Sequence, residues 1–288
     1  MFQLWKNTDR HNKEQNMKTY KQTFSELAEQ NRAALIPFFV IGDPDFETSI
    51  QIIKTAIDAG ADILELGIPF SDPIADGPTI QKADIRAISS GINVRKALEF
   101  IRKVKEYKDI PIGLLMYYNL VYQYGTQKFF SDFHQAGVNS VLIADLNIDD
   151  ADEVMAPAKS SGLDTVFMVT PNTDTDRRKK IVSKTTGFIY TVSLLGVTGS
   201  RKKLSGQIEE SINQLKKLTK IPVCVGFGIS KTEHAATIAQ AGADGVIIGS
   251  KIVELIENNL TNKEKMLAEI SAFLKDTKSV IVKSKQLL

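Results

Sequence analysis

The segment AGADILELG at residues 59–67 has three further versions in the chain: AGVNSVLIADL from Ala136, SGLDTVFMV from Ser161 and AGADGVIIG from Ala241. Each version contains a glycine, a short polar residue two positions later, and then a largely apolar run. The glycine suits the left-handed residue that commonly ends a helix, and the polar residue suits the turn after it. The apolar run is typical of a parallel strand that is buried on both faces. The repeat therefore predicts successive units of helix and strand.

Eight candidate strands follow when this alternation is extended along the whole chain. They lie near residues 35–41, 63–66, 112–116, 140–143, 165–169, 188–192, 222–225 and 245–248. Helix-like patterns separate most of them, and additional helices are predicted near residues 24–30 and 263–274. Eight parallel units favour an α/β fold of the closed (β/α)8 type, a TIM barrel with extra N- and C-terminal helices. An open doubly wound sheet is the alternative.

The composition is that of an ordinary globular protein and excludes collagen-like, low-complexity and disordered classes, with 43% apolar and 24% charged residues in 288. Lys and Arg number 36 against 34 Asp and Glu, so no strong net charge favours nucleic acid or a membrane surface. The single cysteine, Cys224, excludes an intrachain disulfide and a cysteine-rich metal site. The longest apolar runs, about ten residues, are too short to span a bilayer. We expect a cytoplasmic metabolic protein without a metal.

The two ends of the chain differ from the middle. Residues 1–16 are polar and lack periodicity, and they contain no apolar stretch of the kind found in secretory signals. We interpret them as a disordered extension, with a weak targeting segment as the alternative, and expect a single catalytic barrel domain at residues 17–288. The stretch from residue 275 has four lysines against one aspartate. It is predicted to be the frayed end of the last helix.

Two carboxylates lie near the predicted carboxyl end of the second strand. Glu65 belongs to the short apolar strand, and Asp76 follows eleven positions later in a loop with three prolines. Burial raises the pKa of a carboxyl group and suits it to proton transfer, whereas a solvated carboxyl group stays ionised. The two residues are therefore a candidate acid/base pair. The alternatives are a Glu65 bound structurally to a backbone group or a lysine, and a loop in which Asp72 forms an Asx turn.

Glycine-rich loops follow the last three predicted strands, reading LGVTGS at residues 195–200, GFGIS at 226–230 and GS at 249–250. Glycine lets the backbone approach a phosphate, and the helix that starts at Ser250 offers unpaired N–H groups. Loops after strands seven and eight frequently bind phosphate in this barrel class. The pattern indicates a phosphate-ester substrate, with simple tight turns as the alternative.

The block ELGIPFSDPIADGPTIQ at residues 65–81 resembles the signature of the tryptophan synthase alpha chain family. Further segments with the same resemblance occur in the family's order: PF at 37–38, GDP at 42–44, LLMYYN at 114–119, ADL at 144–146, GVTG at 196–199, GFGIS at 226–230 and GS at 249–250. The resemblance implies a barrel lyase of tryptophan biosynthesis that cleaves indole-3-glycerol phosphate to indole and glyceraldehyde 3-phosphate. It also implies that this chain needs no cofactor.

The resemblance assigns roles to individual residues. Glu65 is implied to shuttle a proton between indole C3 and a glycerol hydroxyl, while Asp76 accepts the indole N–H. Tyr190 is implied to lie beside Glu65, although a packing role is the alternative, and Thr198 is implied to lie on a loop that closes over Asp76. The implied indole wall comprises Phe38, Leu115, Leu142, Ala144 and Phe227. The implied phosphate contacts are Gly199, Gly228, Gly249 and Ser250.

The resemblance further implies a partner, a β subunit that carries pyridoxal phosphate and receives the indole, in an α2β2 heterotetramer. Asp72, Pro73 and Asn119 match positions on the contact face. Three alternatives stay open. They are a stand-alone lyase that releases free indole, another phosphate-binding barrel such as a phosphosugar isomerase or epimerase, and a catalytically silent binding subunit.

Overall fold

The structure is a computed structural model that describes residues 17–193, 201–226 and 228–285. The strands among these residues are β1 Ala34–Val40, β2 Leu64–Gly67, β3 Ile112–Met116, β4 Ser140–Ile143, β5 Asp164–Thr165, β6 Phe167–Val169, β7 Ile189–Val192, β8 Val223–Gly226 and β9 Gly245–Ile248. The helices are α1 Tyr20–Glu29, α2 Phe46–Asp58, α3 Pro78–Ser89, α4 Val94–Tyr107, α5 Tyr118–Tyr124, α6 Thr126–Ala136, α7 Ala151–Ser160, α8 Thr175–Lys184, α9 Arg201–Leu218, α10 Thr232–Gln240, α11 Ser250–Asn258 and α12 Lys263–Lys285. The predicted extension, residues 1–16, lies outside the described residues.

The strands form one parallel sheet in the order β5-β4-β3-β2-β1-β9-β8-β7-β6. The two outer members, β5 and β6, are successive pieces of one chain segment that is interrupted only at Val166. On one side of this segment the Val166 N–H donates to the Val141 carbonyl at 3.0 Å, and on the other the Thr186 N–H donates to the Thr165 carbonyl at 3.0 Å. The sheet therefore closes into a barrel of eight strands. The predicted (β/α)8 fold and its strand positions are confirmed.

The repeated glycines have the predicted conformation. Gly60, Gly137, Gly162 and Gly242 have φ angles of 104°, 105°, 85° and 89°, the left-handed region that a side chain would strain. Each lies directly after a helix or one residue beyond it, and the chain then turns into the next strand. The local sequence signal and the backbone geometry therefore agree.

In three of the four repeats, the polar residue joins two neighbouring strands. The Leu35 N–H of β1 donates to Asp62 Oδ2 at 2.8 Å, the Ile112 N–H of β3 donates to Asn139 Oδ1 at 2.9 Å, and the Val223 N–H of β8 donates to Asp244 Oδ2 at 3.0 Å. The fourth polar residue, Asp164, is hydrogen-bonded to Thr186 instead. The turn before one strand thus satisfies an orphan donor at the start of the adjacent strand.

Helix α1 covers the amino-terminal end of the barrel. Tyr20 and Phe24 are buried, and the Tyr20 ring centre lies 5.5 Å from that of Phe188. The Tyr20 hydroxyl lies 2.8 Å from the Ser140 hydroxyl at the start of β4. These side chains fill the interior of the barrel at this end.

Helix α12 is longer than the sequence predicts, and the predicted frayed end is wrong for residues 275–285. Leu274, Thr277 and Ile281 are all fully buried, at the i, i+3 and i+7 spacing of one helix face. Because lysines surround these residues in the sequence, the composition of the segment does not indicate a buried helix face. No helix of the described chain segments is long and apolar enough to cross a membrane.

A buried ion cluster attaches α12 to the repeat at residues 59–67. Asp62 Oδ2 accepts from the Lys278 ammonium group as well as from the Leu35 N–H, and Arg32 Nη2 lies 3.4 Å from Asp62 Oδ1. The side chains of Asp62 and Lys278 are only 13% and 14% exposed. Burial lowers the pKa of Lys278, and the charge of Asp62 opposes that shift.

The Asp62 cluster predicts an unequal effect of two charge deletions on stability. Asp62→Ala leaves two cations and a strand N–H without their acceptor, so the free energy of unfolding in urea is expected to fall by about 3–5 kcal/mol. The matched control is Asp176→Ala. Asp176 pairs with Lys179 at 3.1 Å but is 92% exposed, so its loss should cost about 0.5 kcal/mol or less. Equal losses in the two variants would contradict the structural role given to Asp62.

Candidate active site

A cavity of about 340 Å³ opens at the carboxyl ends of the strands, where barrels of this class bind their ligands. Its lining includes these residues predicted from the sequence: Phe38, Glu65, Asp76, Leu115, Tyr190, Gly228, Gly249 and Ser250. Leu142 lines a narrow space that also adjoins Glu65. Ala144 is half-buried and packs against the apolar cluster that contains Leu142 and Tyr190. Thr198, Gly199 and Phe227 lie outside the described residues.

A larger cavity of about 760 Å³ lies at the opposite end, between α1 and the start of β8. Its lining has exposed lysines, among them Lys21 and Lys220, and two aspartates from the repeats, Asp164 and Asp244. Those aspartates are committed to structural hydrogen bonds. The cavity at the carboxyl-terminal rim is therefore the candidate active site.

Glu65 places a carboxyl group inside the barrel wall. It lies in β2 opposite Phe38 of β1 and Gly113 of β3, and it is 4% exposed. Burial raises the pKa of Glu65 to about 8. None of the ion pairs among the described residues includes Glu65, which disfavours the structural alternative of a lysine-bound glutamate. At neutral pH this carboxyl group is largely protonated and can act as an acid.

Tyr190 lies near both carboxyl groups. Burial, followed by the charges of Glu65 and Asp76 among other effects, raises its pKa well above the ordinary value. A Cβ atom on Gly226 would lie only 2.3 Å from the Tyr190 hydroxyl oxygen, so the strand must carry glycine there. In the same way, a Cβ atom on Gly67 would lie 2.9 Å from the Phe38 ring. These two glycines leave room for the aromatic side chains that form the cavity wall.

Asp76 is held by a tyrosine that the sequence reasoning did not single out. The Tyr117 hydroxyl donates to Asp76 Oδ2 at 2.7 Å and accepts from the Ala75 N–H at 3.0 Å. The Tyr117 ring stacks on Phe70 with ring centres 5.1 Å apart. Burial raises the pKa of Asp76, and the hydrogen bond from Tyr117 opposes this shift. The position of Tyr117, directly after the carboxyl end of β3, is a signal that could have identified it.

One side of the cavity is formed by the first turn of α11 and by the loop after β8. Gly249 precedes the helix, Ser250 is its first residue, and both line the cavity together with Gly228. Gly228 has a φ of 70°, which favours glycine. The N–H groups in the first turn of a helix have no intrahelical acceptor and carry the positive end of the helix dipole. They are suited to an anionic group of the ligand.

The residues matched to a partner contact face lie on the surface next to the site. Asp72 and Asn119 are exposed, Pro73 is half-buried, and Ile74 is 84% exposed. The Ile74 N–H donates to the main-chain oxygen of Asp72, at 2.9 Å, rather than to its carboxylate, so the Asx-turn alternative is not observed. An isoleucine this exposed is well suited to burial in an interface.

The geometry predicts that the Tyr117 hydroxyl keeps Asp76 ionised. Tyr117→Phe preserves the ring that stacks on Phe70 but removes the donor, so the pKa of Asp76 is expected to rise. NMR titration of labelled carboxyl groups measures this shift. Tyr122→Phe is the control, because Tyr122 is 64% exposed and its loss should leave Asp76 unchanged. An unaltered Asp76 pKa in Tyr117→Phe would show that the hydrogen bond does not govern ionisation.

Comparison with known proteins gives one consistent result. Residues 24–282 match the family model for the tryptophan synthase alpha chain. The tryptophan synthase alpha chain of Methanoregula boonei is 45% identical over 250 residues, which are 87% of this chain and 94% of that protein. The tryptophan synthase alpha chain of Methanothermobacter thermautotrophicus is 46% identical over 237 residues, which are 82% of this chain and 88% of that protein. The crystal structure of tryptophan synthase subunit alpha from Legionella pneumophila superposes with a TM-score of 0.84 at 32% identity, covering 91% of this chain and 97% of that chain. The chain belongs to the tryptophan synthase alpha chain family.

Proposed function

We propose that Glu65 and Asp76 carry out in this chain the reaction of the tryptophan synthase alpha chain, the retro-aldol cleavage of indole-3-glycerol phosphate. The observation that carries the proposal is that two carboxyl groups with opposed environments line one cavity. Glu65 is buried with a pKa raised to about 8, whereas Asp76 is more exposed and accepts a hydrogen bond from Tyr117. One carboxyl group can therefore be protonated while the other is charged.

The chemistry requires both states. The bond between indole C3 and the glycerol chain breaks only after C3 has been protonated, which converts the ring to an indolenine. The protonated Glu65 supplies that proton. The resulting carboxylate then removes the proton of the adjacent chain hydroxyl, the C–O bond becomes an aldehyde, and the electrons of the C–C bond return to the indole ring. The Glu65 carboxyl group is protonated again at the end.

The Asp76 carboxylate stabilises the positive charge that develops on the indole nitrogen by accepting its N–H. The apolar wall formed by Phe38, Leu115, Leu142 and Ala144 would hold the ring, with Tyr190 beside Glu65. The phosphate would bind to N–H groups at Gly228, Gly249 and Ser250. The roles of Thr198, Gly199 and Phe227 stay predictions from the sequence, since these residues lie outside the described chain segments.

The family also implies a β-subunit partner. We propose an α2β2 heterotetramer in the cytoplasm, in which the β subunit holds pyridoxal phosphate, this chain uses no cofactor, and indole passes between the subunits. The exposed Ile74, next to Asp72 and Pro73 and on the same loop as Asp76, supports a contact face there. A partner on this loop would restrain Asp76 and so couple binding to catalysis.

Replacement of Glu65 by glutamine is expected to abolish cleavage while it stabilises the fold. The amide of Glu65→Gln cannot donate and recover a proton, so indole release should fall by about three orders of magnitude or more. The measurement is indole production from indole-3-glycerol phosphate. Glu254→Gln is the control, because it makes the same glutamate-to-glutamine replacement on the rim of the cavity. The Glu254 side chain is 50% exposed and contacts Lys251. Its activity should stay within about three-fold of the wild type.

The same variant gives a pH-dependent signature in stability. The pKa of Glu65 is about 8 in the folded chain against an ordinary 4.5, so unfolding releases a proton between these two values and the wild type loses stability as the pH rises through that window. The glutamine side chain of the variant does not titrate. The variant should therefore exceed the wild type by roughly 2–5 kcal/mol above pH 8, with a gap that shrinks towards pH 4.5. A gap independent of pH in urea unfolding would argue against a buried, protonated Glu65.

Dependence on the partner is tested with a variant of the proposed contact face. We expect added β subunit to raise the cleavage rate about ten-fold or more, which corresponds to about 1.4 kcal/mol of barrier. Ile74→Glu should retain the basal rate and lose most of this increase, because a charge would be buried in the interface. Leu260→Glu is the matched control, since Leu260 is 45% exposed but lies after α11 at the opposite rim. A fast wild type that is indifferent to the β subunit would indicate the stand-alone lyase instead.

A further inference from the structure

Asp84 is a buried carboxyl group that the mechanism above does not use. It lies on α3, is 5% exposed, and its Oδ2 atom has no hydrogen-bond partner among the described residues. The main-chain N–H of Phe70 forms a hydrogen bond to this carboxyl group. Phe70 is near the start of the loop that contains Asp76, and α3 begins where that loop ends. Asp84 therefore ties the two ends of the Asp76 loop together.

The contacts continue from Asp84 to Asp76. The Phe70 ring stacks on Tyr117 with ring centres 5.1 Å apart, and the Tyr117 hydroxyl donates to Asp76 Oδ2 at 2.7 Å. A shift of the Phe70 backbone would displace the stacked ring of Tyr117 and with it the hydrogen-bond donor to Asp76. The position of the Asp76 carboxylate thus depends on a residue that does not line the cavity.

The charged groups around Asp84 favour its neutral form. Burial, then the charge of Asp76 and later that of Asp43, raise the pKa of Asp84 to about 8, while the Phe70 hydrogen bond opposes the shift. The same helix carries two cations, Lys82 and Arg86, and Arg86 makes two hydrogen bonds to Asp43, at 2.7 and 2.9 Å. From α11, Glu257 is paired with Lys82 at 2.7 Å, and from the end of β3 Tyr117 presents a hydroxyl group. No cation among the described residues forms an ion pair with Asp84.

We infer that Asp84 is a positioning residue for Asp76, acting in its neutral form through Phe70 and Tyr117. The inference rests on the role proposed above for Asp76. A neutral Asp84 holds the loop without placing a second negative charge behind the first. An ionised Asp84 would favour protonation of Asp76, and a protonated Asp76 is a poor acceptor for the indole N–H.

Two replacements separate this role from general packing. Asp84→Asn keeps a carbonyl oxygen that can accept from Phe70 and stays neutral, whereas Asp84→Leu keeps the branched side-chain skeleton, with bulkier methyl groups, and has no acceptor. The full-length chain is titrated calorimetrically with indole-3-propanol phosphate, which carries the ring and the phosphate, and with glycerol 3-phosphate, which lacks the ring. Cleavage kinetics are recorded alongside, with circular dichroism and thermal unfolding as checks of folding.

We expect Asp84→Leu to lower kcat/KM and the affinity for the indole compound about ten-fold, and to leave the affinity for glycerol 3-phosphate within about two-fold. Asp84→Asn should stay within about three-fold of the wild type in all three. In an Asp76→Asn background, Asp84→Leu should weaken binding of the indole compound no further, since residues that act through one another are not additive. Equal weakening for both ligands, wild-type behaviour of Asp84→Leu, or full additivity would each overturn the inference.

A second measurement applies even where Asp84→Leu fails to fold. In a Glu65→Gln background, which removes the titration of Glu65, affinity for the indole compound should decline above about pH 8 as Asp84 ionises. Adding Asp84→Asn should remove that decline, and an unchanged decline overturns the inference. The proposed function fails separately, if Asp76→Asn alone binds and cleaves like the wild type. Loss in Asp76→Asn with no effect of Asp84 would reject only the role of Asp84.

Discussion

Parallel pairing of every strand around a closed sheet is the constraint on which the rest of this structure depends. All strands begin at one rim and end at the other, so the segments after β2, β3, β8 and β9 leave the barrel side by side although they are distant in sequence. Glu65, Asp76 and Ser250 line one cavity for this reason. The start of each strand is set at the opposite rim, where side chains such as Asp62 and Asn139 accept the first N–H groups of a neighbouring strand. A loss of register there would move every group at the active rim.

The two rims of the barrel differ in how their polar groups are paired. At the amino-terminal rim, Asp62 is paired with Lys278, and Tyr20 with Ser140. At the carboxyl-terminal rim, Glu65 is buried without an ion pair among the described residues, and Asp84 keeps one oxygen unpartnered there. Such groups cost stability near neutral pH, because the unfolded chain would ionise them freely. The stability that the paired rim and the apolar core supply allows the other rim to keep carboxyl groups in reactive states.

The fold and the pair of candidate carboxyl groups in the cavity could be predicted from the sequence because their signals are local. A glycine and a polar residue at fixed offsets mark each repeat, and a glutamate within an apolar strand is conspicuous. Tyr117 and Asp84 could not be identified in this way, since their roles arise from contacts across the chain: Tyr117 lies 41 positions from Asp76, in a run rich in tyrosine. The length of α12 was missed for a related reason. Its buried face is interleaved with lysines, and one of them, Lys278, pairs with Asp62.

In the proposed mechanism, burial and hydrogen-bond donors, rather than residue type, determine which carboxyl group in the cavity is the acid. Glu65 and Asp76 differ little in intrinsic acidity, and burial raises the pKa of both. Asp76 differs in receiving the Tyr117 hydroxyl, which favours its charged form, and in its greater exposure. Tyr117 can supply that hydroxyl only where its ring is held against Phe70. The proposed roles of proton donor and charge stabiliser would therefore depend on the loop and on the residues that support it. A reaction that needs one neutral and one charged carboxyl group would then constrain side chains that do not line the cavity.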